Sequence, residues 1–276
     1  MPEAVRLPIR VLVKGASEVV LTSEIGGPRT DFALGRVLEA GLLSAGQPAE
    51  VRVNAVPSDL ARMALRSWER EVLGWSPDVV ILHYGHYESI HLFLPRWLER
   101  HANSKRSRPG RIRTFYRRTV LRAIWIGLAK LQARSDAALD STMLGWRLRR
   151  VAADVERLIT HIQTVGSPLV LVMEILPPGR RWQAWMPGLA ERTAVMNEHF
   201  ASMVRGIDKP NVRIFSVSNV LADQLADEEP KPDGGHYSVT VHRLIGEALC
   251  REIMNWAATQ GHLESWNRAR EHGAET

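Results

Sequence analysis

The chain has 276 residues, of which 45% are hydrophobic and 24% charged, with a formal net charge of +6. That balance fits an ordinary soluble globular protein of one large or two small domains. No apolar run is long enough for a membrane-spanning helix, and the single cysteine, Cys250, excludes an internal disulfide and agrees with a reducing compartment.

The first element is a buried-strand pattern, IRVLV at 9–13, which ends in the turn Gly15-Ala16-Ser17. No apolar leader with a cleavage site precedes it, so the expected location is cytoplasmic. Ser17 has two readings on its own residues. Serine is a favoured helix N-cap, and a residue just past a parallel strand also stands where open α/β sheets bind their ligands. A helical pattern at 31–45 follows, then a strand at 50–54, a helix at 58–74 and a strand at 78–84. After the insertion come a helix at 140–165, a strand at 168–175, a helix at 189–206, a strand at 211–217 and a last helix at 238–260. The strands are β-branched and nearly continuous, as in a sheet covered on both faces. Their alternation with helices indicates a parallel sheet between two helical layers. Cys250 falls in the last helical pattern and reads as core.

Residues 92–139 break this rhythm, and a stretch of that size inside a domain is functional, disordered or carries its own structure. Between Arg96 and Arg122 ten Lys/Arg stand against one acid, Glu99, so this segment carries +9 and the rest of the chain about −3. Local basicity points to an anionic partner at one place. From 113 to 134 apolar and basic positions alternate at helical spacing, with Phe115, Val120, Ile124, Leu128 and Leu131 near one side. Two readings stand side by side: a solvated helix packed on the sheet, or a lid over a substrate. Contact with an anionic membrane surface is a further expectation for such a helix. Nucleic acid is disfavoured, because the charge is confined to one insertion and no recognition module accompanies it.

The chemistry-bearing residues lie at the two ends of the chain. Serine catalysis needs a base within hydrogen-bond reach and a third group that orients the base. In KPDGGHYS, His236 follows Asp233 by three residues, a spacing that lets the carboxylate fold back onto the imidazole. The same residues also read as an ordinary turn. The loop after the fifth strand and the end of the first can both reach the carboxyl edge of a doubly wound sheet. No metal-ligand spacing and no nucleotide-binding glycine fingerprint stand out, so no cofactor is expected.

In VLVKGASEV, SPDVVILHYGHYE and KPDGGHYSVTVHRLIGEAL the chain resembles the SGNH (GDSL-like) hydrolase superfamily, in the right order and over everything but the insertion. The resemblance implies a three-layer α/β/α flavodoxin-like fold with a five-stranded parallel sheet and a basic helical insertion after strand three. It implies a single domain over 1–262, with 92–139 as a lid and 263–276 as a polar tail. It also implies Ser17 as nucleophile, His236 as general base and Asp233 as its partner. The family's Gly-Asp-Ser turn is Gly-Ala-Ser here. The family's oxyanion glycine falls on Ser58, whose backbone amide still donates, and its asparagine falls on Tyr87, with Ser17 itself supplying a further amide. His86 is the alternative donor beside Tyr87, and losing one donor costs about 2.7–4 kcal/mol of transition-state stabilisation.

The stretch after strand three resembles family members of bacterial polysaccharide and glycolipid assembly, some of them actinobacterial, and the Arg-for-Lys usage fits a GC-rich genome. That resemblance implies transfer of a medium-chain acyl group such as octanoyl, from a donor such as acyl-CoA, to a glucosylglycerate-type saccharide. Simple esterase or deacylase activity and non-catalytic saccharide binding are the alternatives. Expected substrate contacts are Gly85, His86, Glu88, Arg96, Arg111, Arg113, Arg117 and Arg118, the arginines because the guanidinium group clamps phosphate and carboxylate.

Overall fold

The computed structural model describes residues 8–24, 32–57, 59–90, 115–116, 119–120, 122–136, 141–222, 224–225 and 228–259. The strands are β1 (Ile9–Gly15), β2 (Ala49–Ala55), β3 (Val79–His83), β4 (Leu169–Met173) and β5 (Val212–Phe215). They form one parallel sheet in the order β2-β1-β3-β4-β5. This is the flavodoxin-like order, in which the topology reverses between β1 and β3 and opens a crevice at their carboxyl ends. The expected α/β fold class is the observed one.

Side chains of β1 and β3 alternate between two cores, as the pleat requires. Val11, Val13, Val79 and Ile81 face one core, closed by α1 (Leu34–Ser44) and α9 (Val239–Thr259). Leu12, Val80 and Leu82 face the other, closed by α2 (Ala61–Trp68), α5 (Ser141–Thr164) and α7 (Leu189–Ile207). Cys250, on α9, packs against Gly41 of α1, and burial raises its thiol pKa.

Two strands end short of the sequence expectation, each for a visible reason. β4 stops at Met173 because Asn197 of α7 bonds both the N–H and the C=O of Ile175, taking that peptide out of the ladder. β5 stops at Phe215 because Glu174 accepts bonds from Ser216 Oγ, Ser218 Oγ and Ser218 N, which starts the short helix α8 (Val217–Ala222). The helix expected at 58–74 begins at Ala61 and finishes in a π turn, Glu69–Leu73. Two short helices, α3 (His86–Ile90) and α6 (Arg180–Trp185), have too few residues to show a helical period.

Within the insertion, α4 runs from Arg122 to Asp136. Phe115, Val120, Ile124, Ile126 and Leu131 are exposed, so these side chains do not pack on the sheet. The insertion is tied down at its exit. Buried Arg192 of α7 pairs with Asp136 at 2.6 Å and donates to the Ser89 carbonyl, while Asp136 accepts the Gly188 N–H. No described helix is long and apolar enough to cross a membrane.

Candidate active site

The strand register aligns the carboxyl ends of β1, β2 and β3 at one edge. Gly15, the last residue of β1, lies beside Ala55 of β2 and His83 of β3. A side chain at Gly15 would collide with the His83 carbonyl and with Val19, so the turn into Ser17 is closed by contact. Ser17 is half-buried and opens a single 3-10 turn, Ser17–Val19, whose N-cap position belongs to Ala16. The helix-cap reading of Ser17 therefore does not hold: the turn uses Ser17 through its carbonyl, which accepts the Val20 and Leu21 amides.

The carboxy-terminal loop is stitched to this turn. Ser23 N donates to the Tyr237 carbonyl, Val239 N to Glu24, and His242 bonds the Leu21 carbonyl. Within the loop, His236 Nδ1 lies 2.7 Å from Asp233 Oδ2, and Asp233 Oδ1 accepts the Gly235 and His236 amides. Burial alone would raise the Asp233 pKa, but the bonds from His236 and the two amides hold it at about 2. Its carboxylate is thus ionised at every ordinary pH, and it selects the tautomer with the proton on Nδ1, leaving Nε2 as the basic nitrogen.

The loop rests on Trp182 of α6. A Cβ at Gly234 or Gly235 would run into the indole, and Gly234 has φ +96°, a left-handed conformation that disfavours side chains. Gly234→Ala and Gly235→Ala are expected to destabilise the fold by about 1–3 kcal/mol through this overpacking. Urea midpoints check it, and wild-type midpoints for both variants would refute it.

Beneath the turn lies a charge cluster that sequence reasoning missed. Glu18, immediately after Ser17, is fully buried and pairs with buried Lys231 at 2.6 Å. His83 Nδ1 and His86 Nδ1 each lie 3.6 Å from its carboxylate. Burial would raise the Glu18 pKa, yet His86 in its protonated form, the Lys231 ammonium and protonated His83 bring it down to about 2. His86 is pushed to about 3, chiefly by burial and against the pull of Glu18, so the imidazole is neutral. Lys231 also donates to the Leu176 carbonyl, and its pKa is lowered by burial. His83 Nε2 is 3.0 Å from the buried Tyr237 hydroxyl. The one sequence signal was a polar residue ending an apolar strand, His83 in VVILH.

The other expected residues divide. His86 is buried, with its ring stacked on Trp182 at 6.0 Å between centroids. Tyr87 is half-buried on α3. Tyr84 is buried, and its hydroxyl donates to Asp59. Glu88, expected to touch substrate, instead accepts the Ala61 and Gly85 amides with its two oxygens, tying α2 to the β3 turn. Gly85 forms that turn with φ +101°. Ser58, Arg96, Arg111, Arg113, Arg117 and Arg118 lie outside the described residues, as does the expected tail at 263–276.

Burial raises the Glu88 pKa to about 6 from 4.5. Its protonated form is favoured by folding, so its contribution is fully present below pH 4.5 and lost as pH rises through about 6. That difference amounts to about 2 kcal/mol. Urea titrations at both ends of the window should show the loss in the wild type and not in Glu88→Gln; equal pH dependence in the two proteins would refute it.

The fold is shared with solved lipases and acetylesterases. The chain superposes on a lipase/acylhydrolase from Enterococcus faecalis with TM-score 0.58 at 14% identity, covering 89% of this chain and 95% of that one. A carbohydrate acetylesterase from Sinorhizobium meliloti gives 0.55 at 12% identity, with 90% and 99% covered. An acetylxylan esterase from Geobacillus stearothermophilus gives 0.52 at 13%, with 90% and 96% covered. No protein-family model and no curated protein matches the chain.

Proposed function

We propose that this chain is a serine esterase that forms an acyl-Ser17 intermediate and releases the acyl group to water. The observation that carries the reading is the 2.7 Å bond between Asp233 and His236, in a loop fastened to the turn that bears Ser17 at the β1/β3 switch point. Ser17 Oγ attacks the ester carbonyl carbon while His236 Nε2 takes its proton. His236 then gives that proton to the departing alkoxide as the carbon–oxygen bond breaks. In the second half His236 takes a proton from water, whose oxygen bonds the acyl carbon, and returns it to Ser17 Oγ as the acid leaves. The Ser17 amide, with the Ser58 amide and the Tyr87 hydroxyl, is the proposed set of oxyanion donors.

The test is mass spectrometry of the protein mixed with p-nitrophenyl acetate or octanoate. An acyl adduct on Ser17, absent in Ser17→Ala, supports the reading; turnover without any adduct at Ser17 sinks it. Asp233→Asn, which unsets the His236 tautomer, is expected to lower kcat by roughly 10²–10⁴-fold, measured on the same esters.

A second reading, acyl transfer from a CoA thioester to a saccharide hydroxyl, is favoured by the +9 segment between Arg96 and Arg122. Such a segment is suited to the phosphates of the donor. Changing Arg111, Arg113, Arg117 and Arg118 to Ser should then weaken octanoyl-CoA use more than use of a neutral octanoate ester. Equal loss on both would remove that reading. The same segment is a proposed contact for an anionic membrane surface.

A further inference from the structure

The site holds two carboxylate–imidazole pairs on one indole. Asp233 backs His236, and buried Glu18 stands behind His86. Trp182 carries both: its ring lies under Gly234 and Gly235 of the first pair and stacks at 14° to the ring of the second. The histidines are near enough that charge on His236 disfavours charge on His86.

The two imidazoles differ in what they can do. The 3.6 Å from His86 Nδ1 to Glu18 is too long for a hydrogen bond, but the carboxylate's field still selects the tautomer with the proton on Nδ1. Nε2, across the ring and away from Glu18, is then a lone-pair acceptor with no proton to give. Among the described residues no hydrogen bond occupies it. An acceptor cannot stabilise an oxyanion, so His86 does not replace the missing oxyanion asparagine. It needs a donor from the substrate.

The proton count of the reaction says which donor. A hydroxyl that leaves or attacks at the acyl carbon has one proton, and His236 handles it. Any hydrogen bond to His86 must come from a second O–H: the other proton of water, or a neighbouring hydroxyl of the alcohol. We propose that His86, seated on Trp182 beside His236, accepts a hydrogen bond from the hydroxyl adjacent to the ester oxygen, so that the preferred substrates are acyl esters of vicinal diols, as saccharides and polyols are. This rests on the serine-esterase reading and holds whether the polyol leaves or enters, since the two directions share one transition state.

Two matched ester pairs test it: ethyl and 2-hydroxyethyl acetate, and ethyl and 2-hydroxyethyl octanoate. Each pair differs only in the neighbouring hydroxyl. For the wild type kcat/KM should favour the hydroxyethyl ester by about tenfold, the worth of one hydrogen bond. In His86→Phe, which keeps a ring on Trp182, that ratio should fall toward one whatever happens to the absolute rates. His86→Gln, whose amide oxygen accepts, should restore part of it. A wild-type ratio near one, or one unchanged in His86→Phe, overturns the proposal while leaving the esterase reading standing. If the wild type hydrolyses none of the four esters and Ser17 takes no label from a fluorophosphonate, the esterase reading falls and the proposal falls with it.

Discussion

Ser17→Ala lowers kcat on a p-nitrophenyl ester by on the order of 10⁶-fold, the scale set by losing the nucleophile of a unit that works together. Its urea midpoint stays within about 0.5 kcal/mol of wild type. The two halves of that result come from one local geometry. Ser17 is half-buried at the start of a 3-10 turn, and the turn is held by its main chain: the carbonyl of Ser17 takes two amides, and Ala16 occupies the cap position. Removing the hydroxyl therefore takes away a reactive group and no structural bond of that turn. Steady-state turnover and denaturation on the same preparation check both parts. A variant that retains wild-type turnover would place the nucleophile elsewhere. One that is inactive because it is unfolded would make Ser17 a structural residue.

Lys231→Met is expected to cost about 3–5 kcal/mol of stability, because it strands the Glu18 carboxylate in the interior beside two neutral imidazoles. Glu18→Gln strands the ammonium and should cost a similar amount. The double variant Glu18→Gln/Lys231→Met removes both charges and should recover much of the loss, since replacing a whole buried pair is often nearly neutral. Acid gives an independent check. The Glu18 pKa is lowered from 4.5 to about 2, so its share of stability is present above pH 4.5 and declines as pH falls toward 2. The double variant should lack that part of the acid transition. Additive single-variant losses in the double-mutant cycle would show that the two side chains are not a pair.

Much of this fold can be read from residue pattern, and much of the site cannot. Five apolar runs of strand length and the helices between them determine the layers, because burial on both faces removes polar residues from a strand. The Asp233-to-His236 spacing was legible for a similar reason: a three-residue separation is short enough for the chain itself to impose the contact. Glu18, Lys231 and Trp182 were not legible. Glu18 and Lys231 are charged residues that would ordinarily be solvated, and only the packing of the carboxy-terminal loop against the turn after β1 brings them together in the interior. Trp182 sits in a six-residue helix with no period to announce it, and its role depends on two glycines more than fifty positions away. Glu88 shows the opposite error. A carboxylate next to a site motif looks available to substrate until its oxygens are found bonded to main-chain amides.

The buried pair between Arg192 and Asp136 has a consequence for how this protein can diverge. It fixes the exit of the insertion to α7, and Arg192 also grips the Ser89 carbonyl, three residues beyond His86. The chain from Ile90 to Asp136 therefore leaves and rejoins the scaffold at two neighbouring anchored points. Closing such a span costs only about 0.6 kcal/mol more for each doubling of its length. Evolution or an engineer can lengthen, shorten or exchange what lies between those points while the anchors hold α3 and α7 together. Variation in length is thereby confined to one bracketed span of this chain, as an interchangeable part bolted to a fixed frame.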